Sequence, residues 1–307
     1  MKKSYEIDMC NGPLLGKILV FSIPLMLSGI LQLLFNAADI IVVGRFAGST
    51  ALAAVGSTAS LINLMINVFV GLSVGVNVLA ARYYGAQKEK DIQDTVHTAI
   101  MMAILSGLFL VVLGESASKP MLTLMGTPDD VLDQAALYLR IYFFGMPVLM
   151  IYNFGAALLR AVGDTRRPLY FLFAAGAVNV VLNLFFVIQL GMGVDGVAWA
   201  TVISECVSAG LIIRSLMKEN GAMKLHLTKL RIVSGKLTQI VRVGLPAGMQ
   251  GAIFSISNVL IQSSVNSFGS IAMAGNTASS NSEGFVYTAM KAVYQTRLSF
   301  TRQNLAG

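Results

Sequence analysis

Residues 18–38 read ILVFSIPLMLSGILQLLFNAA, a run of 21 residues without Asp, Glu, Lys or Arg that ends at Asp39. A helix that crosses a bilayer needs about 20 predominantly apolar residues, so this run is long enough to span one. Charged residues make up only 12% of the chain, against about 25% in an ordinary soluble domain. Further stretches without charge occur at 46–81, 95–114, 141–159, 168–194 and 243–282. A 32.7 kDa soluble protein could not bury six such stretches, so the sequence predicts an all-α polytopic membrane protein.

The apolar stretches and their flanking charges predict eight membrane spans, at about 16–40, 50–80, 94–116, 134–159, 168–190, 195–217, 240–267 and 282–305. With these spans, sixteen basic residues fall on the side of the N-terminus, and only Arg45 and Lys119 fall on the other side. Lys and Arg concentrate in cytoplasmic loops, so we expect a multi-pass protein of the inner (cytoplasmic) membrane with its N-terminus in the cytoplasm. The net charge of +7 is then a signal of orientation and does not indicate nucleic-acid binding.

The chain also resembles itself at an offset of about 221 residues. The segment GSTALAAVG at 48–56 matches GSIAMAGNT at 269–277, and KILVFSIP at 17–24 matches TQIVRVGLP at 238–246. Six spans separate the two copies, so both begin on the same side of the membrane. Parallel repeats of this kind build many transporters, with the substrate site between the repeats.

The repeat predicts three parts: an N-terminal six-helix lobe, a cytoplasmic linker and the first two helices of a second lobe, at 1–217, 218–239 and 240–307. A complete second copy would give twelve spans, so we expect a C-terminally truncated transporter or, as given, an inactive membrane fragment. The last span carries three unexpected charges, at Lys291, Arg297 and Arg302. They fit either a cationic pore lining or an altered sequence near the end, and Arg302 could snorkel to the membrane surface.

Asp39 is the most informative polar residue. Gln32, Asn36 and Asp39 are spaced i, i+4 and i+7, which places one polar stripe along an otherwise apolar helix. Such a stripe should face a cavity or a partner helix, where a carboxylate can exchange a proton for a cation. The alternative is an interfacial Asp that caps the outer loop. Pro24 lies in the same helix and is a candidate hinge, because proline bends a helix and frees a carbonyl.

Other spans carry polar residues whose role the spacing leaves open. Asn179 and Asn183 form an i, i+4 pair in the fifth span, and Asn153 lies in the fourth. Their amides could coordinate an ion or hydrogen-bond between helices. Glu205, midway along the sixth span, is either a second titrating site or an acid that pairs with a neighbour to hold helices together.

Signals of an enzyme are missing from the sequence. It contains no phosphate-binding glycine-rich loop and no HExxH, CxxC or GxSxG motif. His97 and His226 lie too far apart in sequence to suggest a metal pair. We therefore expect no enzyme activity and no cofactor, with energy drawn from an ion gradient or from outside the chain.

Four segments resemble the multidrug and toxic compound extrusion (MATE) family. They are SIPLMLSGILQLLFNAADIIVVG at 22–44, LLRAVGDTRRPLY at 158–170, NVVLNLFFVIQLGMGVDGVAWATVIS at 179–204 and SFTRQNLAG at 299–307. Together, in this order, they are specific, and the resemblance covers essentially the whole chain. It implies two six-helix lobes around a central cleft and antiport of H⁺ or Na⁺ against small organic cations. It implies no partner beyond these cations and the lipid bilayer, and no obligate protein partner.

The acid in the first helix is similar to that of the branch named for DNA-damage-inducible protein F. The resemblance places a coupling site at Gln32, Asn36, Asp39 and Asn179. Asn183 departs from the branch, which often has Asp there, so Asp39 would be the main titrating group. Further positions that could line the cavity are Tyr138, Asn153, Thr201 and Glu205.

One alternative from the same superfamily stays open. A lipid-linked oligosaccharide flippase should have several arginines in its cavity to bind pyrophosphate. The first six spans offer only Arg140, which we expect to snorkel outward.

Overall fold

The structure is a computed structural model that describes residues 14–125, 127, 129–266 and 270–304. These residues form nine α-helices and no β-strand, which confirms the predicted all-α class. The helices are α1 (Leu14–Phe46), α2 (Ser49–Gly85), α3 (Glu89–Leu124), α4 (Asp129–Phe144), α5 (Met146–Ala161), α6 (Arg166–Leu184), α7 (Val194–Met217), α8 (Ser234–Asn266) and α9 (Ser270–Asn304). A π-helical turn, Phe185–Gln189, extends α6, and two short 3₁₀ turns lie between α7 and α8.

Six helices are long and apolar enough to cross a membrane by themselves, namely α1, α2, α3, α6, α7 and α8, and α4 with α5 would make a seventh span. The seventh predicted span corresponds to α8. The eighth corresponds in position to α9, whose described part is not among the helices apolar enough to cross a membrane. The side chains of α8 are described up to Ser257 and at Leu260, and those of α9 from Val286. Of the late charges, Lys291, Arg297 and Arg302 are all exposed on α9.

The fourth predicted span, 134–159, is not one helix. It is broken between α4 and α5, which meet at an angle of 49°. Gly145 lies at the break, and Pro147 stands in the first turn of α5, where its missing N–H leaves no carbonyl without a donor. Gly107 of α3 packs against this turn so closely that a methyl group there would lie 2.3 Å from Pro147 Cα. The break is therefore fixed by packing from a neighbouring helix.

The predicted linker at 218–239 is shorter than expected, because α8 already begins at Ser234. It brings His226 to His97 of α3, and the two rings stack at 6.2 Å. His97 Nδ1 lies 2.7 Å from Gln93 O, and Nε2 accepts the backbone N–H of His226 at 3.2 Å. Both ring nitrogens of His97 are therefore engaged, so the pair is structural. Burial and the nearby Lys229 and Lys224 lower the pKa of His226.

Helix α8 crosses α2 at a glycine-lined contact. A methyl group at Gly71 would lie 2.2 Å from both Cα and N of Gly248, and one at Gly75 would lie 2.3 Å from Ile240 O. Backbone therefore packs directly on backbone, as small residues allow between membrane helices. Near the same end of α8, Lys236 Nζ bonds Asp91 at 2.6 Å.

Helix α9 packs on α1 in the corresponding way. Ser22 and Thr296 share a hydrogen bond of 2.8 Å, and the rings of Phe21 and Phe300 meet edge to face at 5.6 Å. At the offset of 221, Thr296 corresponds to Gly75, and Ser22 corresponds to the residue before Gly244, which itself contacts Gly75. The first helix of each copy thus packs on the second helix of the other copy, which supports the predicted repeat.

Candidate functional site

Asp39 is buried where α1 meets α6 and α7, with 7% of its surface exposed. The Nδ2 of Asn183 donates a hydrogen bond to the Asp39 carboxylate and another, of 3.1 Å, to Asn179 Oδ1. Asn179 Nδ2 in turn donates to Thr201 Oγ1 at 3.4 Å. The cluster therefore runs from a carboxylate on α1 through two amides on α6 to a hydroxyl on α7.

The local sequence explains why α1 and α6 meet at this depth. Gly176 of α6 has no side chain, and the ring of Phe35 lies in its place, so close that a methyl group there would overlap the ring. Asp39 follows Phe35 by one turn of α1, while Asn179 and Asn183 follow Gly176 by about one and two turns of α6. The contact at Gly176 thus aligns the amide pair with the carboxylate.

One polar atom of the cluster has no partner. Asn183 Oδ1 is buried and makes no hydrogen bond to any residue that the structure describes. A buried polar group without a partner costs about 1–3 kcal/mol, so such an atom is a candidate ligand for something that binds. Together with the oxygens of Asp39 and Asn179, it offers the oxygen donors that a proton or a hard cation prefers.

The other predicted residues of the first helix lie outside this cluster. Gln32 and Asn36 are exposed, and within the described ranges neither makes a side-chain hydrogen bond to protein. Pro24 is buried, but α1 continues through it without a break, and Ser28 Oγ bonds its carbonyl at 2.8 Å. The predicted stripe is therefore divided into a buried acid and two exposed amides.

The remaining predicted lining residues surround the break between α4 and α5. Glu205 follows Thr201 by one turn of α7, and its Oε2 would lie 3.4 Å from a methyl group at Gly145. Tyr138 is buried on α4 and stacks on Tyr142 at 6.0 Å. Glu205 makes no salt bridge within the described ranges. Thr201 thus links the Asp39 cluster to the helix break.

Asn153 and Arg140 are engaged elsewhere. Asn153 Nδ2 donates to Leu149 O within its own helix at 2.9 Å, away from the Asp39 cluster. Arg140 Nε bonds Glu115 Oε2 at 2.6 Å at the protein surface.

The segment LLRAVGDTRRPLY contains a group that sequence reasoning assigned no physical role. Asp164 is fully buried and accepts the backbone N–H groups of Arg166 and Arg167 at 3.1 and 3.0 Å. The Arg167 guanidinium bridges Asp164 to Glu219, beyond the end of α7. This bridge fixes the start of α6, and thereby the helix that carries both amides. The i, i+3 spacing of Asp164 and Arg167 is the signal that could have revealed it.

The fold and the site define a multi-pass helical membrane protein that holds one buried carboxylate against the amides of a second helix. A search with models of known families matches the MatE model to residues 24–185, more than half of the chain. The chain belongs to this family, which is a family of transporters and not a class of enzymes.

Individual relatives agree with this assignment. The chain is similar to the probable multidrug resistance protein YoeA of Bacillus subtilis (strain 168), with 33% identity over 83% of the chain and 57% of the relative. It is also similar to the probable multidrug resistance protein YpnP of the same organism, with 26% identity over 87% of the chain and 60% of that protein.

Among solved structures, the chain is similar to the outward-facing conformation of a multidrug resistance MATE family transporter of the MOP superfamily. The TM-score is 0.90 at 25% identity, over 100% of this chain and 68% of the other. The chain spans 57% of the length of YoeA and 60% of the length of YpnP.

Proposed function

We propose that this chain forms the coupling lobe, and the start of the second lobe, of a secondary antiporter that exports small organic cations in exchange for H⁺ or Na⁺. The observation that carries the proposal is the buried Asp39 carboxylate held by Asn183 from another helix. A carboxylate at membrane depth is costly to keep, and its usual place is an ion or substrate pathway. The names of the two Bacillus relatives support the choice of drugs as substrates.

Protonation of Asp39 would change the contact between α1 and α6. As a carboxylate, Asp39 accepts the amide N–H of Asn183. A protonated carboxyl group keeps one carbonyl oxygen as acceptor and gains one O–H donor, so the amide N–H of Asn183 can stay in place while the new O–H needs an acceptor of its own. Asn183 Oδ1 makes no hydrogen bond to any described residue and could take that role. A proton arriving at Asp39 would therefore add a donor to the contact and cancel the charge that holds a cationic substrate.

Sodium would compete for the same charge by another route. A hard cation is bound by carboxylate, carbonyl and hydroxyl oxygens, and these are the groups of Asp39, Asn179, Asn183 and Thr201. Because Asn183 supplies an amide and not a second carboxylate, the cluster holds one negative charge and balances one monovalent ion. Proton, sodium and organic cation would then exclude one another at Asp39.

The change at Asp39 is coupled to the lobes through the helices that hold it. The helix α1 carries both Asp39 and Pro24, and it packs on α9 of the second copy through the bond between Ser22 and Thr296. Adjustment of α1 near Pro24 would shift this contact while the lobes, 1–217 and 240 onward, rock to alternate access. In the cell the protein would lie in the cytoplasmic membrane with its N-terminus in the cytoplasm.

No observation at the Asp39 cluster favours the flippase alternative. Arg140 is the arginine on which it would depend in the first six spans, and Arg140 pairs with Glu115 at the surface. The Asp39 cluster itself is built from amides, a hydroxyl and a carboxylate. The negative charge of the carboxylate would repel a pyrophosphate group.

The test is ethidium efflux from vesicles that contain the protein expressed from its complete open reading frame, under an imposed proton or sodium gradient. Asp39→Asn keeps the shape of the side chain and removes its charge, and we expect it to abolish efflux under the effective gradient. Asp133→Asn is the matched control, because the side chain of Asp133 is 86% exposed and pairs only with exposed Lys119 among the described residues. Efflux that persists in Asp39→Asn, or a wild type that moves no ethidium under either gradient, would contradict the proposal.

A further inference from the structure

A second candidate site lies at the end of the bundle opposite Asp39. The C-terminal ends of α2 and α9 meet the N-terminal part of α8 there, and they enclose a cavity of about 740 Å³. Asp39 lies near the C-terminal end of α1, and α2 returns from that end, so the length of α2 separates the two sites. This cavity has no part in the coupling chemistry proposed above.

Basic side chains outnumber acidic ones in the described lining of this cavity. Four cations reach it, from Arg82, Lys88, Arg242 and Arg302. None of the four side chains makes a hydrogen bond or a salt bridge to any residue in the described part of the chain. The single acid of the lining, Asp91, is already bound to Lys236 Nζ at 2.6 Å. Four like charges around one space repel one another, and an anion would relieve that repulsion.

Orientation of the protein in the membrane does not explain this convergence. Positive charge in cytoplasmic loops sets orientation wherever in the loop it lies. Three of these cations lie on three different helices instead, and specific contacts bring those helices together. Gly85 of α2 packs on the backbone of α9, where a methyl group would lie 2.4 Å from Gln303 O. Tyr83 OH donates to Gln239 Oε1 of α8 at 2.9 Å, which holds the third wall.

Arg302 lines the cavity and is one of the three unexpected charges of the last predicted span. At the offset of 221 it corresponds to the neutral Ala81 of the first copy, and the coupling mechanism gives it no role. Its neighbour Gln303 is buried and donates to Ala161 O at 2.6 Å, which fixes the last turn of α9. Arg302 therefore projects into the cavity from an anchored position.

The geometry points to a binding site for a phosphate group, carried either by a phospholipid or by a soluble phosphate compound. Arginine binds phosphate oxygens in a bidentate manner, and three arginines with one lysine balance the charge of one or two phosphates. Val78, Leu79 and Val243 form an apolar wall beside the cations, which fits an apolar portion next to the phosphate. This inference is independent of cation export, because it rests on the charges and contacts of this cavity alone.

The test measures binding of two probes to the purified protein. Inorganic pyrophosphate is titrated by calorimetry into protein in a neutral detergent, and phosphatidylglycerol is titrated into protein in phosphatidylcholine nanodiscs. We expect saturable binding of at least one probe, weakened about tenfold by Arg242→Gln and by Arg302→Gln, since each removes one charge-assisted contact. Arg242→Lys keeps the charge and should retain most of the binding.

Lys224→Gln is the matched control, because Lys224 is an exposed lysine of the linker, outside the cavity. Its affinity should stay within about twofold of wild type, since a surface charge away from the phosphate contributes little. Binding of pyrophosphate identifies a soluble ligand, and binding of phosphatidylglycerol alone identifies a lipid headgroup. The inference is overturned if neither probe saturates, or if Lys224→Gln weakens binding as much as the arginine variants. Ethidium efflux by Arg242→Gln separates this outcome from failure of the antiporter proposal, which predicts normal coupling in that variant.

Discussion

Gly71→Ala tests the crossing of α2 and α8, where the backbones of the two helices pack directly on each other. The added methyl carbon would lie 2.2 Å from Gly248 Cα and N and 2.8 Å from Gly244 O. All three atoms belong to backbone, so no side chain can move out of the way. Ordinary contact between carbon atoms is about 3.5–4.0 Å, so the two helices must separate by roughly 1.5 Å.

The expected cost follows from that separation. Overpacking of a tight contact costs about 1–3 kcal/mol, and this is roughly a 5- to 150-fold shift away from the state with α2 and α8 in contact. The assay is the apparent melting temperature of the purified protein in detergent. At about 2–4 °C for each kcal/mol, we expect a fall of roughly 2–12 °C.

Gly251→Ala is the matched control on the same crossing. There the nearest atom to an added methyl carbon is Asn67 Cβ at 3.4 Å, a side-chain atom at almost ordinary contact distance. We expect this variant to melt within about 1 °C of wild type, as substitutions without a steric clash usually do. If Gly71→Ala melted like wild type, or if both variants lost the same stability, direct packing of backbone on backbone at this crossing would be refuted.

Three further predictions concern ionisable residues that lie in or next to the loops between helices. Arg167→Gln leaves the buried carboxylate of Asp164 without its guanidinium, so we expect a loss of about 3 kcal/mol in thermal unfolding, and addition of Asp164→Asn should recover part of it. In a double-mutant cycle, Lys236→Gln and Asp91→Asn should be coupled by roughly 0.5–1 kcal/mol of unfolding free energy, because this ion pair is only partly shielded from water. Strictly additive losses of stability would argue against an ion pair between the two side chains. The pKa of His226 is lowered, so the unfolded chain binds more protons below about pH 6.5, and stability should fall as the pH falls; His226→Gln should flatten this slope, and an unchanged slope would speak against the shift.

The helices were predictable because membrane depth dictates their length. Neutral runs of about 20 residues identify them with no knowledge of their neighbours. The break at Gly145 was not predictable from Pro147 alone, because a proline inside a membrane span is often accommodated without a break. Pro24 and Pro246 show this, since α1 and α8 continue through them. What distinguishes Pro147 is the contact from Gly107, which depends on where α3 packs.

The candidate site was predictable in part. Spacing alone placed Asp39 on a polar stripe and left the amides of α6 open between an ion site and structural hydrogen bonds. Their contact with Asp39 depends on Phe35 lying over Gly176, a pairing between residues far apart in sequence. Gln32 lies on the same stripe and is nevertheless exposed. Helical spacing predicts which side of the helix a residue faces, but it does not predict whether another helix covers that side at a given turn. The role of each of these residues in transport stays a prediction.

The packing of α1 on α9 has a consequence for how the protein is made. Ser22 bonds Thr296, a partner 274 residues further along the chain. At a synthesis rate of about 5–20 residues per second, the first helix would emerge roughly 14–55 seconds before the residue that completes this contact. During that interval the buried face of α1 has no partner from α9, so lipid or an insertion factor must cover Ser22 and Phe21. Helix α1 would thus reach its final packing only long after it is synthesised.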